Sequence, residues 1–242
     1  EVQLDFIKTH AKSKTPFLAF YSTYLPHYPW EPTPDSEAPT YRAPNAAHKG
    51  DAKYFPEMVA YLDRQIGAML RTLDELGIAD DTIIIFIADN GTDAGLRNLW
   101  GDGRVIAGGK GTMTDRGTRV PLLVRWPGKI KAASSCVDLV DLSDFFPTLC
   151  ELTGAKLPDV MIHGRSFAPQ LLGKPGQPRE WIHIQNANSR QVRDREFMLN
   201  NKGELRRVGE LWEDPARLDA NADSAKEAAA RKKLQAVFDS LE

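Results

Sequence analysis

Thr82-Ile83-Ile84-Ile85-Phe86-Ile87-Ala88-Asp89-Asn90-Gly91 is the stretch on which the fold of this chain turns. Its apolar run is continuous and β-branched, where a half-exposed strand would alternate, so it reads as a strand covered on both faces in a parallel sheet. The polar Asp89-Asn90-Gly91 then falls at the strand's carboxyl end. Open α/β sheets place their ligand sites there. Upstream, Phe55, Met58, Val59, Leu62, Ile66, Met69, Leu70, Leu73 and Leu76 recur at three- and four-residue steps. That spacing predicts one amphipathic helix over residues 48–76, stopped by Gly77. A shorter apolar run, Phe17–Ser22, predicts a buried strand before it. Strand, helix and strand make a βαβ unit. Between the first strand and the helix, Pro26, Pro29, Pro32, Pro34, Pro39 and Pro44 forbid helix and predict an irregular surface loop over 25–45.

Downstream lies a glycine-rich loop, Gly108-Gly109-Lys110-Gly111, and then an apolar run, Val120 to Trp126, that predicts another strand closed by Pro127-Gly128. Residues 142–154 predict a short helix with Ser143 as N-cap and Gly154 as terminator. Residues 155–180 are rich in Pro and Gly and read as a linker. Trp181–Gln185, Arg195–Asn200 and Leu205–Leu211 read as short antiparallel strands, and Ser224–Leu241 as an Ala- and Lys-rich helix. The expected fold is therefore α/β: a mostly parallel sheet flanked by helices over residues 1–175, followed by a small α+β subdomain over 176–242 with antiparallel strands and a terminal helix.

Bulk properties limit the function classes. The chain has 242 residues, 42% of them hydrophobic and 26% charged, which is ordinary globular composition. Its 31 basic and 33 acidic side chains are spread along the chain, so no nucleic-acid face or anionic-membrane patch is expected. No apolar run approaches the ~20 residues that span a bilayer. Glu1-Val2-Gln3-Leu4-Asp5 has neither the regions of a signal peptide nor an initiator methionine, so the chain is expected to be part of a longer protein. Cys136 and Cys150 are too few for a disulfide framework and are expected to be core or partly buried thiols, with a single disulfide as the alternative.

Four residues stand out for chemistry. Asp89 and Asn90 offer a carboxylate and an amide carbonyl, hard oxygen donors suited to calcium or magnesium; alternatively they form a turn that caps the strand. Lys110 lies among glycines, where backbone N–H groups can approach an anion closely and the ammonium is the charge presented. It could hold an anion or donate a proton; alternatively it is a solvated loop lysine. His27 sits in a Pro-flanked loop that can hold an imidazole near an ester oxygen, or it is an exposed loop histidine. His10, His48, His163 and His183 lie outside any motif and read as surface or packing residues. Arg119 could pin the glycine loop through Asp115, a structural task. Trp30, Trp100 and Trp126 are candidate cleft residues, with buried packing as the default.

Taken together, Pro26-His27, Ala88-Asp89-Asn90-Gly91 and the string from Gly108 to Gly128 resemble the sulfatase family. Arg190-Gln191-Val192-Arg193 through Gly209-Glu210-Leu211-Trp212-Glu213-Asp214-Pro215 is similar to the family's closing strand pair and Asp-Pro turn. The resemblance implies the alkaline-phosphatase superfamily fold and hydrolysis of sulfate esters of sugars or aryl groups. It also implies one divalent cation, calcium in preference to magnesium, with Asp89 and Asn90 as two of its ligands, and Lys110 and His27 as sulfate-binding and proton-handling residues. A periplasmic or secreted setting rests on the resemblance alone. The family's nucleophile is a formylglycine made in a Cys/Ser-x-Pro/Ala-x-Arg motif, and neither Cys136, Cys150 nor any serine here stands in one. The chain is therefore expected to be the C-terminal portion of a sulfatase, inactive by itself, with the missing N-terminal half as its partner and some self-association. The alternatives are a one-metal phosphate or phosphonate monoesterase of the same superfamily and a non-catalytic truncated binding module. Asn90 disfavours the two-metal phosphatases, which place a histidine beside that aspartate.

Overall fold

The computed structural model describes residues 2–37, 50–210 and 213–241. The chain divides into two compact units, Glu1–Ile84 with Arg125–Gly128, and Ile85–Val124 with Lys129–Glu242.

In the first unit helix α1 (Val2–Ser13) packs on helix α2 (Phe55–Glu75). Ile7 of α1 and Met58, Leu62 and Leu73 of α2 are buried. Pro56 stands in the first turn of α2, where its missing N–H costs nothing. Gly77, at φ +67°, stops the helix as expected. Residues 48 and 49 lie outside the described residues, and the chain enters α2 through a 3-10 turn at Ala52–Tyr54 capped by the Asp51 carboxylate. Phe17–Ser22, expected as a strand, forms none. An apolar run becomes a strand only where a neighbour takes its backbone hydrogen bonds; here none among the described residues does, and Leu18 and Phe20 are exposed. Helix α1 was not anticipated.

The second unit begins within strand β1 (Ile84–Ile87), which follows a 3-10 turn at Ala79–Asp81. Strands β2 (Arg97–Leu99) and β3 (Val105–Ala107) form an antiparallel hairpin with Leu99 opposite Val105. Three-residue strands are too short to show periodicity, which is why this hairpin went unforeseen. A single helical turn, α3 (Asp115–Thr118), precedes strand β4 (Leu122–Arg125), the hydrogen-bonded neighbour of β1. Helix α4 (Phe145–Thr153) ends at Gly154, φ +73°, as expected. Its lead-in is capped by Asp141 and not by Ser143: the Asp141 carboxylate accepts the Ser143 N–H at 2.9 Å, and Asp144 accepts the Asp141 N–H at 2.8 Å.

The expected linker over 155–180 is instead an ordered strap containing helix α5 (Ala168–Leu171). Its anchor is Asp144, which is 2% exposed and accepts from the Arg165 N–H at 2.6 Å and from Arg179 Nε at 2.8 Å. The hydrogen bond to that carboxylate raises the Arg179 pKa above its ordinary value. Phe167 packs edge-on against Phe145 and donates its N–H to Thr148 Oγ1 at 3.0 Å.

Strands β5 (Ile182–Asn186), β6 (Ser189–Arg193), β7 (Phe197–Asn200), β8 (Leu205–Arg207) and β9 (Ala216–Arg217) form one antiparallel sheet in chain order. Val192, Leu199 and Leu205 meet Ala230, Leu234 and Phe238 of helix α6 (Ala225–Ser240) in the main core of the chain. Each of the Val, Leu and Phe side chains among them contributes about 1.5–3 kcal/mol on burial. The chain is thus α/β through β4 and α4, with an antiparallel α+β portion at its C-terminal end. Cys150 is a buried free thiol, whereas Cys136 is exposed, contrary to expectation, because residues 131–138 form no packed element. Among the described residues no helix is long and apolar enough to cross a membrane.

Candidate active site

Strand β1 ends at Ile87, and Asp89 and Asn90 follow in a bend, Asp89 exposed and Asn90 half-buried. The chain then runs directly along the glycine loop. The Gly91 N–H donates to the Gly117 carbonyl at 2.9 Å. Thr92 O accepts from both the Gly109 N–H at 3.0 Å and the Lys110 N–H at 2.9 Å, and Leu96 O accepts from Gly108 at 2.9 Å. Four backbone bonds therefore stitch the segment after β1 to the loop that carries Lys110. Lys110 is tied to a residue only two positions past Asn90. So close an approach requires glycine. A Cβ on Gly91 would lie 1.8 Å from the Arg116 carbonyl oxygen, and one on Gly108 would lie 1.9 Å from that of Asp93.

The far side of the loop is fastened as well. Thr112 donates through its backbone and its hydroxyl to Gly109 O, at 2.9 and 2.8 Å. Asp115, 6% exposed, accepts from Arg193 of β6. Arg119, the partner expected from sequence, is exposed, and its guanidinium nitrogen stands 4.0 Å from the other Asp115 oxygen. Arg193 lies 78 residues from Asp115, so local spacing carries no signal for it. Arg116 pairs with Asp214, the acidic residue of the Asp-Pro turn.

His27 belongs to the first unit, whereas Asp89, Asn90 and Lys110 belong to the second. It is exposed and lies between the cis bonds Leu25–Pro26 and Tyr28–Pro29. Its Nδ1 stands 2.6 Å from the Tyr28 carbonyl, which fixes a proton on Nδ1. The Tyr24 ring packs 5.6 Å away. Of the tryptophans, Trp100 is exposed in the β2–β3 hairpin and Trp126 donates to the Asp80 carbonyl at 2.8 Å. Trp30 packs edge-on against Tyr28 and Phe55. His183 stacks its edge on Phe238, and burial together with nearby Arg190 lowers its pKa, as suits a packing residue. His10 bonds the Phe6 carbonyl within α1, and His48 lies outside the described residues.

Asp89 and Asn90 present hard oxygen donors of the kind a calcium or magnesium ion accepts. Among the described residues no group of three or more His, Cys, Asp and Glu side chains converges. The pair therefore fits such an ion in chemistry but supplies only part of a shell.

Residues 2–155 match the sulfatase family, and residues 108–239 match the C-terminal family of N-sulphoglucosamine sulphohydrolase. The chain belongs to the sulfatase family. It is 29% identical to human arylsulfatase A over 189 residues, which are 78% of this chain and 35% of that protein. To the N-acetylgalactosamine-6-O-sulfatase of Bacteroides thetaiotaomicron it is 33% identical over 195 residues, 76% of this chain and 37% of that one. The solved structure of Ps i-CgsB is similar in fold, with a TM-score of 0.71 at 20% identity over 99% of this chain and 53% of the other. The chain thus spans about a third of the length of the relatives it matches in sequence.

Proposed function

We propose that this member of the sulfatase family forms part of an enzyme that hydrolyses sulfate esters, with its share of the site at the seam between the end of β1 and the glycine loop. The observation that carries the reading is the double acceptance by Thr92 O, which ties Lys110 beside the Asp89-Asn90 bend. Asp89 and Asn90 would hold one divalent cation, calcium in preference to magnesium, whose positive charge would offset that of the sulfate group.

Lys110 binds a sulfate oxygen and is the candidate donor of a proton to the departing alkoxide. Its loop is fixed before substrate arrives, so little ordering is left to do when substrate binds. His27, whose Nδ1 bonds the Tyr28 carbonyl at 2.6 Å, would serve as hydrogen-bond partner or proton carrier at the ester oxygen. No Cys or Ser of these 242 residues stands in the Cys/Ser-x-Pro/Ala-x-Arg setting that formylglycine requires, so no step through that group is assigned to this chain.

In the active protein Lys110→Ala is expected to lower kcat on an aryl sulfate by roughly 10²–10⁴, with the unfolding midpoint nearly unchanged. Activity within a few-fold of the parent would return Lys110 to an ordinary loop lysine. Assaying the sulfate and phosphate esters of one phenol side by side tests the reaction class, and a preference for phosphate would overturn the sulfatase reading.

A further inference from the structure

The glycine loop is held from one side by the seam after β1. From the other it is held by side chains of the β5–β6 hairpin. Asn186 Nδ2 donates to Gly111 O at 3.0 Å, Gln191 Nε2 donates to Met113 O at 3.0 Å, and the Arg193 guanidinium bonds the Asp115 carboxylate. The three contacts fall on residues 111, 113 and 115, immediately after Lys110.

The sequence of β6 explains the arrangement. Successive strand side chains point to opposite faces. Val192, fully buried, joins the apolar core under α6, which leaves Gln191 and Arg193 on the other face, where both remain buried at 5% and 9% exposure. A strand that packs an apolar core on one face ordinarily carries solvated polar residues on the other. Here the polar residues are covered, and their partners are the carbonyls and carboxylate of the loop. Burying a guanidinium against a carboxylate is a poor way to add stability, because desolvation offsets most of the attraction. What such a pair does well is fix one register, since every alternative leaves a buried charge unpaired. Asp115 sharpens the point: its Oδ2 is buried without a hydrogen bond, with Arg119 at 4.0 Å, so the guanidinium hydrogen bond to this carboxylate comes from Arg193.

We propose that Arg193, assisted by Gln191 and Asn186, is a positioning residue for Lys110: the antiparallel C-terminal sheet sets where the loop lysine stands. The inference rests on the reading of Lys110 given above. Arg193 touches no substrate in this scheme and acts only through the loop.

A double-variant cycle separates the two ideas. Sulfate ester kcat and KM are measured in the active protein for Lys110→Ala, Arg193→Lys and the pair together. Amide hydrogen exchange over residues 108–115 is followed in the 242-residue chain. Arg193→Lys keeps the charge but loses the guanidinium fork. It is expected to lower kcat about 10-fold or more, with KM within about 3-fold, because small misplacements of a catalytic group are costly. In the Lys110→Ala background the same change is expected to cost less than about 2-fold, since residues acting as a unit are not additive. Exchange at the Gly109, Lys110 and Thr112 amides should quicken while that of β7 and β8 holds. Gln191→Met, which removes one neutral bond, gives the same pattern at smaller size and stands in if Arg193→Lys does not fold.

Equal losses in both backgrounds would make Arg193 a stability residue and overturn the proposal, as would unchanged kcat with unchanged exchange. Full activity of Lys110→Ala would instead remove the reading of Lys110 itself. The catalytic purpose of the clamp falls with it, while the exchange data still report whether β6 holds the loop.

Discussion

The place of Asp89 and Asn90 was legible because the run from Ile83 to Ala88 is short, apolar and β-branched, and residues just past the carboxyl end of such a strand stand at a sheet edge; β1 itself is half-buried where a strand covered on both faces was expected. That Lys110 stands in a tight loop was legible from its glycines. Arg193 was not, because nothing in Arg190-Gln191-Val192-Arg193 tells that its polar face would be covered by a loop 78 residues earlier. The reason for the glycines also became visible only in three dimensions, and it yields a test. At Gly91 a Cβ would lie 1.8 Å from the Arg116 carbonyl oxygen, so the backbone seam must open to admit alanine. Gly91→Ala is expected to cost about 1–3 kcal/mol, as for other overpacked sites. Gly101→Ala, whose Cβ would meet nothing within 4 Å, is expected to change stability by less than about 0.5 kcal/mol. Urea unfolding of the two variants side by side checks the difference, and equal midpoints would show that the seam yields freely.

Among the elements, length decided what could be foreseen. The long amphipathic α2 follows its periodicity, α6 its Ala- and Lys-rich composition, and β5, β7 and β8 their apolar runs, whereas β6 and β9 were not read as strands from any such run. The three-residue β2 and β3 were not read either, and Phe17–Ser22 has the composition of a strand without a pairing neighbour among the described residues. The strap over 155–180 reads as a linker because Pro and Gly mark the absence of regular structure, which is not the absence of packing. Helix α6 illustrates how a local sequence signal becomes a pH response. Its capping box pairs Ser224 with Glu227: the Glu227 carboxylate accepts the Ser224 N–H at 2.8 Å, while Ser224 Oγ accepts the Glu227 N–H. These bonds, the backbone one first, and a further bond from Arg207 hold the Glu227 pKa down to about 2, against an ordinary 4.5. A carboxyl depressed on folding contributes stability that is complete above its unfolded pKa and is lost as pH falls through the folded one. The parent should therefore exceed Glu227→Gln in stability above pH 4.5, and the gap should close between pH 4.5 and about 2. Urea midpoints of both proteins across that range measure it, and a gap independent of pH would show that the charge on Glu227 is immaterial.

At the scale of the whole molecule, the chain divides its labour between a seam that brings the proposed site residues of the second unit together and an antiparallel sheet that fixes the loop among them. The sulfatase match ends at residue 155 and the C-terminal match begins at 108, so the glycine loop and β4 fall within both. That overlap agrees with a loop anchored from both sides. The apolar surface has its own consequence. Single exposed apolar residues are normal, but Leu18 and Phe20 stand 77% and 88% exposed two positions apart on a segment whose backbone forms no strand. An unpaired, apolar, strand-like run is a template for pairing with another copy. The 242-residue chain is therefore expected to self-associate, with an apparent mass in sedimentation velocity that rises with concentration. Leu18→Lys with Phe20→Lys should return it to monomer without lowering its unfolding midpoint, because neither side chain is buried and charge on such an edge opposes pairing. Association that persists unchanged in the double variant would move the contact to another surface.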